Sequence, residues 1–521
     1  MAFLPFACTR FPETHPSVLV NDVHSQLNPT QVHRVSRIDS IAALQMAMRQ
    51  ARSEGKAISI AGGRHSMGGQ QFGTDTVLID TRPMNRVLNF DHASGLVEVE
   101  AGIQWPELIN TLVKKQEGRT KQWGIIQKQT GADRLSIGGA LSANIHGRGL
   151  TFSPVIGDVE SFTMMGADGE LRTCSRGENK GLFSLAIGGY GLFGVITSVK
   201  LRLMPRVKLE RVVELIEIPD LVDAFKQRID NGYLYGDCQF SIDPESAGFL
   251  RDGVFSCYRP TDASAQIPSQ QKKLSKDDWR KLYLLAHKDP KRVFDIYSSY
   301  YLATSGQHYW SDTHQLSNYV DDYHAAVDRQ LGAPVEATEM ISEVYVPRDA
   351  LGRFMDVLRE DFRRHGTQVV YGTIRLIEKD SESFLPWARE AYACIVMNLH
   401  VLHSREKVEK AATDFRRIID RAIEHGGSYF LTYHRWADRR QVERCYPQMA
   451  DFIKLKKNMT HVKRSRVTGI ATTAICSRVP VKGVNKLKIL INQTKPDGIS
   501  RILILWENNW RASGWTRPSP R

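Results

Sequence analysis

Short apolar runs separated by turn residues recur through the first part of the chain. Residues 57–61 and 76–80 are apolar enough for buried strands, and residues 96–101 alternate apolar with acidic side chains, as a half-buried strand does. Residues 40–54 place apolar side chains at helical spacing, and residues 105–114 are also predicted to form a helix. The pattern therefore predicts alternating strands and helices.

The second half of the chain repeats this alternation on a larger scale. Residues 339–347, 369–376 and 392–400 are predicted strands, and residues 348–365 and 406–426 are predicted long helices. This order is typical of a sheet with helices on one face. The fold class predicted for the whole chain is α+β.

Two glycine-rich loops follow predicted strands, and each contains a histidine. The strand at 57–61 runs into glycines 62, 63, 68 and 69 around His65, and residues 130–149 contain Gly138 and Gly139 before a short helix predicted over 140–145. Closely approaching backbone N–H groups suit a phosphate, although a surface turn can have the same composition. Two such loops are what a long diphosphate cofactor needs if it is held from both sides.

A third glycine motif has the wrong surroundings for a nucleotide site. Residues 189–194 read Gly-Tyr-Gly-Leu-Phe-Gly, the literal fingerprint of a Rossmann site. In that fold the motif follows a strand and opens a helix. Here it follows a predicted helix at 182–186 and opens a predicted strand at 194–204, so we do not assign a Rossmann fold.

Several segments resemble the vanillyl-alcohol oxidase type of FAD-linked oxidases, which have a PCMH-type flavin domain. They read AGGRHSMGG (61–69), SIGGALSANIHGRG (136–149), GDVESFTMMGADGELRTC (157–174) and LFSLAIGGYGLFGVITSVKLRLMP (182–205). The resemblance implies an α+β protein in which a PCMH-type FAD-binding domain of two α/β subdomains is joined to an α+β cap domain. The predicted boundaries are 24–206 for the flavin domain, 207–430 for the cap, 431–457 for a segment returning to the flavin and 458–521 for a tail.

The resemblance also implies FAD as the cofactor. The residues expected to bind it are Gly62, Gly63, Arg64, His65, Ser66, Met67, Ser136, Gly138, Gly139, Ser142, Asn144, Gly194 and Ile196. Related oxidases attach the flavin covalently at the position of His65. We therefore expect a covalent bond there, with a histidine that only hydrogen-bonds the cofactor as the alternative.

Four residues are predicted to act in catalysis because they match, or lie near, active-site positions of the family. His146 follows the small-residue helix and has an imidazole suited to proton transfer, although a structural histidine would read the same. Arg375 aligns with an arginine of sugar-alcohol oxidases, but Thr373 stands where their glutamate would be. His434 and Arg435 resemble a histidine-containing segment of aldonolactone oxidases. No metal ligand set is predicted.

Composition changes little of this picture. The net charge is +13, but residues 458–521 account for +10 of it, so the rest of the chain carries only +3. A basic tail is not a basic groove, and no nucleic-acid partner is predicted.

Seven dispersed cysteines predict no disulfide framework, and the absence of an apolar run of about 18 residues predicts a cytoplasmic protein. The lysine-rich span 269–292 and the tyrosine-rich span 294–323 leave membrane contact open, although packing is the expectation for the tyrosines.

The tail departs from the family pattern. Up to residue 456 the chain resembles its relatives, which continue with a Lys-Tyr-Asp-Pro segment that is absent here. Reading the codons of residues 457–461 in an offset frame permits that segment. The sequence therefore predicts a frameshift near Lys457 and a tail without selected function.

The function predicted from the resemblance is FAD-dependent oxidation of a CH–OH group of a sugar, polyol or aldonolactone. Its partners would be a small alcohol and an electron acceptor such as oxygen. The alternatives are a lipid-linked sugar oxidase resembling the decaprenyl-phosphoryl-ribose enzymes, an inactive flavoprotein scaffold, and a nucleic-acid-binding protein that uses its basic tail.

Overall fold

A computed structural model describes residues 17–317 and 323–461. Its helices are α1 (Ile41–Ser53), α2 (Trp105–Lys115), α3 (Ile137–Ala143), α4 (Lys180–Ala186), α5 (Leu221–Asp230), α6 (Lys276–Lys288), α7 (Pro290–Leu302), α8 (Tyr323–Leu331), α9 (Leu351–His365), α10 (Arg405–Glu424), α11 (Arg439–Cys445) and α12 (Met449–His461). Its strands are β1 (Val18–Val20), β2 (Thr30–Val32), β3 (Arg34–Arg37), β4 (Ile58–Ala61), β5 (Val77–Asp80), β6 (Val87–Asp91), β7 (Leu96–Glu100), β8 (Trp123–Ile125), β9 (Val159–Met165), β10 (Leu171–Ser175), β11 (Val195–Pro205), β12 (Lys208–Glu217), β13 (Tyr235–Phe240), β14 (Asp252–Pro260), β15 (His308–Trp310), β16 (Ala337–Pro347), β17 (Val369–Ile377), β18 (Tyr392–Leu402) and β19 (Ser428–Tyr429).

Three larger sheets organise these elements. The first is parallel, with strand order β3-β5-β4, and the second is antiparallel, with order β10-β9-β11-β7-β6 and β8 paired to β11. The third has eight strands in the order β15-β12-β14-β13-β17-β18-β16-β19. The mixture confirms the α+β class, whereas the predicted division of the flavin domain into two subdomains and the domain boundaries stay predictions.

Helix α1 shows how the apolar pattern builds the first sheet. Its N-cap, Ser40, accepts a hydrogen bond from the backbone N–H of Ala43, which satisfies one of the free donors of the first turn. Its buried face packs with residues of β4 and β5 in one core cluster. Met165 and Val195, from the second sheet, belong to the same cluster, so the two sheets share this core.

Helix α3 begins earlier than the sequence predicted. The expected helix covered residues 140–145, but the observed one starts at Ile137 because Ser136 caps it and accepts a hydrogen bond from Gly139 N. It ends at Asn144, which adopts a left-handed conformation with φ of 51°. The two glycines therefore lie in the first turn of the helix rather than before it.

The large sheet has one face toward the first glycine loop, where Ile341 N of β16 donates to Met67 Sδ at 3.5 Å. Alternation along β16 places Glu339, Ile341, Glu343 and Tyr345 on the same face. Helix α10 packs against β16 and β18 through buried apolar residues, and α9 also contacts β16. Helices α6, α7 and α8 also contact strands of this sheet, so the predicted covering of one face by helices stays a prediction.

The chain from residue 431 onward passes close to the first glycine loop. Gly68 N donates to Thr432 O at 3.0 Å, and Gln70 Nε2 donates to Leu431 O at 2.6 Å. Helix α12 runs through the boundary predicted at residue 457, and the rest of the predicted tail, residues 462–521, lies outside the described residues. Among the described helices, none has the length and apolar character needed to cross a membrane.

Candidate functional site

A cavity of about 910 Å³ lies between the two glycine loops and the exposed face of the large sheet. Fourteen of the predicted site residues line it: Gly62, Gly63, Arg64, His65, Ser66, Met67, Ser136, Gly138, Gly139, Ser142, His146, Gly194, Ile196 and Arg375. Its volume is near the upper end of the roughly 300–1,000 Å³ range of ligand pockets. The cavity is therefore large enough for a cofactor together with part of a substrate.

The glycine loops are in direct contact, and this contact requires glycine. A Cβ added to Gly62 would lie 1.9 Å from Ser136 Oγ, and one added to Gly63 would lie 2.3 Å from Arg134 O. A Cβ on Gly138 would lie 2.9 Å from Ala101 Cβ. Because no side chain fits between them, the backbones of both loops approach each other at the cavity wall. A cavity wall made of glycine backbone without side chains allows a bulky cofactor such as FAD to approach closely.

His65 lies beside a second histidine that the sequence analysis did not single out. Its Nδ1 is 2.7 Å from His24 Nε2, and the ring centroids are 4.7 Å apart. Burial lowers the pKa of His65 to about 3, aided by the neighbouring His24, and burial lowers the pKa of His24 to about 4. Both rings are therefore neutral near pH 7, which leaves one ring nitrogen of His65 with the lone pair that a covalent bond to a cofactor uses.

His146 and Glu343 form a buried pair at the cavity wall. His146 Nε2 lies 2.8 Å from Glu343 Oε1, and Nδ1 lies 3.0 Å from Gly147 O. Both ring nitrogens therefore lie within hydrogen-bond distance of an oxygen atom. Burial opposes the ionisation of Glu343, but the charge of His146 and hydrogen bonds from His146 and Tyr345 hold the pKa of Glu343 below its ordinary value. The pair is equipped to hold and pass a proton.

Arg375 supplies a buried positive charge on the same wall. Its side chain is 7% exposed, and its Nε has no hydrogen-bond partner among the described residues. No ion pair links it to a carboxylate in that part of the chain. It lies on β17 opposite Cys394 of β18, two residue pairs from the row that contains Glu343. Its charge is therefore available to an anionic group in the cavity.

Three predicted residues do not line the cavity. Asn144 is buried, donates from Nδ2 to Asp380 at 2.8 Å and accepts from Ile156 N, so it joins elements rather than facing a ligand. His434 is also buried, its Nδ1 accepts from Trp436 N at 3.3 Å, and burial lowers its pKa to about 3. Arg435 is an exposed residue. The structure gives these three no contact with the cavity.

Their neighbours reach the cavity instead. Tyr433, one residue before His434, lines it, and so do Glu343 and Asn398 of the large sheet. Alternation in the predicted strand at 339–347 was the signal that could have found Glu343, because an acidic residue recurs there at every fourth position. No sequence signal distinguished Tyr433 from His434.

An aromatic wall closes the other side of the cavity. The tyrosines of the span 294–323 were expected to pack in the interior, but four of them line the cavity together with three aromatic residues from elsewhere: Tyr297, Tyr300, Tyr301, Tyr309, Trp279, Tyr283 and Tyr371. Arg211 lies 4.8 Å from the ring centre of Tyr309 and 5.2 Å from that of Tyr301. This wall can stack against a ring or cover an apolar chain.

Comparisons with known proteins agree with this geometry. A family model described as an FAD binding domain matches residues 32–175. A D-arabinono-1,4-lactone oxidase of Yarrowia lipolytica is 32% identical over 35% of this chain and 34% of its own. An L-gulonolactone oxidase of Mus musculus is 30% identical over 33% of this chain and 37% of its own.

A bacterial relative shows the same pattern. An L-gulono-1,4-lactone dehydrogenase of Mycobacterium tuberculosis is 30% identical over 38% of this chain and 43% of its own. The similarity thus spans about a third of the length of the curated relatives that the chain matches. These matches confirm the predicted FAD cofactor, and they identify residues 32–175 as an FAD-binding domain of the type found in PCMH-type FAD-linked oxidases.

Proposed function

We propose that this protein is an FAD-dependent oxidoreductase that oxidises a CH–OH group of a sugar lactone or a related sugar or polyol. The observation that carries this proposal is the position of the His146–Glu343 pair and Arg375, which line the same cavity as both glycine loops. A proton acceptor and a positive charge thus face the cofactor's cavity. The named substrates of the aldonolactone oxidases support the lactone class.

The chemistry requires a hydride and a proton to leave the alcohol. FAD supplies the hydride acceptor when it is bound. Glu343, ionised and held in place by hydrogen bonds from Tyr345 and His146, accepts the hydroxyl proton on its carboxylate, and the 2.8 Å hydrogen bond from His146 orients that carboxylate. The carbon becomes a carbonyl, and the two electrons pass on to oxygen or another acceptor.

Arg375 stabilises the negative charge that develops during this reaction. Negative charge develops on the substrate oxygen as its proton leaves, and also on the cofactor as it is reduced. A guanidinium whose Nε has no protein partner among the described residues can donate to either. Its desolvated position makes this interaction stronger than it would be in water.

The polar groups on the sheet fit a polyhydroxylated substrate. Asp237, Gln239 and Asn398 line the cavity, and Gln239 Oε1 is a buried acceptor without a partner in the described structure. Sugar hydroxyls both donate and accept, so they satisfy such groups in a way that an apolar substrate does not. The aromatic wall can stack against the sugar or lactone ring.

Anaerobic mixing with candidate substrates tests the proposal. We expect aldonolactones such as L-gulono-1,4-lactone to bleach the flavin absorbance of the wild-type protein. The Glu343→Gln variant should bind FAD but bleach far more slowly. Bleaching by a polyprenyl-phosphate sugar alone would favour the lipid-linked alternative. A flavin that is photoreducible but is bleached by none of the alcohols would indicate an inactive scaffold.

A further inference from the structure

A cluster of imidazoles surrounds one buried carboxylate at a distance from the pair used for catalysis. Glu339 lies on β16, His400 lies directly opposite it on β18, and His287 comes from the last turn of α6. His287 Nε2 and His400 Nδ1 are each 3.1 Å from Glu339 Oε1. On the other carboxylate oxygen, His324 Nδ1 is 2.7 Å from Oε2.

These side chains are enclosed although all of them can be charged. The exposed fractions of the side chains are 4% for His287, 4% for Glu339 and 12% for His400. His287, His324 and His400 all lie within hydrogen-bond distance of the Glu339 carboxylate. A carboxylate with imidazoles around it is the donor set that divalent transition metals prefer.

The spacing of the donor atoms matches a metal site. The donor atoms of His287, Glu339 and His400 all lie within 4.8 Å of one another. Zinc–nitrogen and zinc–oxygen bonds of about 2.0–2.2 Å in a tetrahedron place neighbouring ligand atoms roughly 3.3 Å apart. The two observed separations of 3.1 Å are therefore close to those of a bound ion, so only small movements would be needed.

We propose that His287, Glu339 and His400 bind a zinc ion. The three ligands leave a fourth position, as in zinc sites that bind water or a substrate oxygen. Glu339 lines the cavity, so that position is directed to its wall. His324, on the second carboxylate oxygen, orients the ligand as outer-sphere partners do in zinc proteins.

The ion would connect parts of the fold that are distant in sequence. α6 belongs to the aromatic side of the cavity, through Trp279 and Tyr283, whereas β16 and β18 form its floor. A shared ion would fix the position of this helix over the sheet and stabilise the folded state by its binding free energy. The inference does not depend on the proposed oxidation, because it concerns other residues and a different ligand.

A second cluster of possible ligands serves as the internal comparison. His146, Glu343 and Cys394 are also within ligand distance of one another. Burial raises the pKa of the Cys394 thiol well above its ordinary value, which disfavours the thiolate that a metal binds. Zinc bound at this second cluster would have sulfur among its ligands. X-ray absorption can therefore distinguish it from zinc bound at His287, Glu339 and His400.

The test is metal content combined with zinc X-ray absorption on the full-length flavoprotein. After chelator dialysis and addition of one equivalent of Zn²⁺, we expect about one zinc per chain with nitrogen and oxygen neighbours near 2.0–2.1 Å and no sulfur shell at about 2.3 Å. The melting temperature should rise on zinc addition. A sulfur shell, or no retained zinc, would overturn the proposal.

Variants locate the ion. His287→Gln and His400→Gln should each lower zinc affinity at least about tenfold and abolish the zinc-dependent rise in melting temperature, while their melting temperatures in chelator stay near that of the wild type. Cys394→Ser and His92→Gln, a control at a half-buried histidine outside both clusters, should retain zinc. Retention by both ligand variants, or loss only in Cys394→Ser, would refute the assignment.

Discussion

Glu343 illustrates how a single residue acquires its chemistry from its neighbours. Its carboxylate accepts hydrogen bonds from Tyr345 and His146, and these donors favour the ionised form despite complete burial. A carboxylate with a pKa below its ordinary 4.5 stays ready to accept a proton over the whole neutral range. The reaction should therefore lose its base only under acidic conditions.

We expect Glu343→Gln to lower kcat by about 100- to 10,000-fold, because the amide cannot accept the substrate proton. On the acidic side, the kcat of the wild type should fall only below pH 4.5, since the pKa of Glu343 is lowered. Stopped-flow flavin reduction across pH measures both. A variant that reduces flavin at the wild-type rate would contradict the assigned role.

His65 is the residue on which the attachment of the cofactor depends. Its neutral ring near pH 7 is the form that can bond to a carbon atom, so covalent FAD stays our prediction. In the wild type the yellow colour should remain with the acid-precipitated protein, and in His65→Ala it should pass into the supernatant. His92→Gln, at a half-buried histidine that does not line the cavity, is the matched control. Colour retained by His65→Ala would place the bond elsewhere.

Asp158 is predicted to make stability depend on pH. Burial raises its pKa to about 8, from 3.8. Between these values the folded chain binds a proton that the unfolded chain does not, so stability falls as pH rises through this window. We expect Asp158→Asn to unfold with a free energy about 1–3 kcal/mol higher than the wild type at pH 8 and to show no such gain at pH 4. Denaturant-induced unfolding at both pH values measures the difference in the free energy of unfolding between the variant and the wild type. An equal gain in stability at pH 4 and pH 8 would refute the role of Asp158 ionisation.

At the scale of elements, the contact between the two glycine loops decides the shape of the cofactor cradle. Gly62 follows β4 directly and lies against Ser136, which caps α3. A methyl group at residue 62 would therefore displace the cap of a helix that is far away in sequence. The motif glycines are needed for this packing between elements as well as for backbone freedom.

Gly62→Ala should weaken FAD binding by about tenfold or more, a loss of about 1.4 kcal/mol. Gly181→Ala is the control, because a Cβ there meets nothing within 4 Å and the residue lies within helix α4. Titration of the apoprotein with FAD measures both affinities. Equal affinities in the two variants would show that the loops do not need to touch.

Most elements could be predicted because each follows from local pattern. The strand at 57–61, the helix at 40–54 and the long helices of the second half all appear close to their expected ends. The start of α3 could not be predicted from apolar periodicity, because a cap by Ser136 decided it. Residues 189–194 lie between α4 and β11, as their surroundings had indicated.

At the scale of the whole molecule, charge is distributed unevenly along the chain. Residues 458–521 carry +10 of the net +13, and the last fully buried apolar side chain of the described core is Phe452. The described hydrophobic core therefore ends before the predicted tail begins. A frameshift near Lys457 remains our prediction for the origin of this excess.

Removing residues 462–521 should leave FAD binding and melting temperature unchanged, because the described core ends before them. The same truncation should abolish most binding to a polyanion such as heparin, whose attraction depends on the lost positive charge. Calorimetry and heparin chromatography test the two statements. A truncated chain that fails to bind FAD would mean that the tail is part of the fold.

The sequence by itself determined the α+β class, most strands and helices, and the two glycine-rich loops that line the cavity, because these depend on local periodicity and on glycine-rich motifs. The catalytic wall was decided only by tertiary structure. The family glutamate is replaced by Thr373, yet Glu343 lies in the same row of the sheet two strands away, through Val396. No local pattern contains that pairing, since strands distant in sequence are brought together by packing. For the same reason Tyr433, rather than His434, reaches the cavity, and three histidines converge on Glu339.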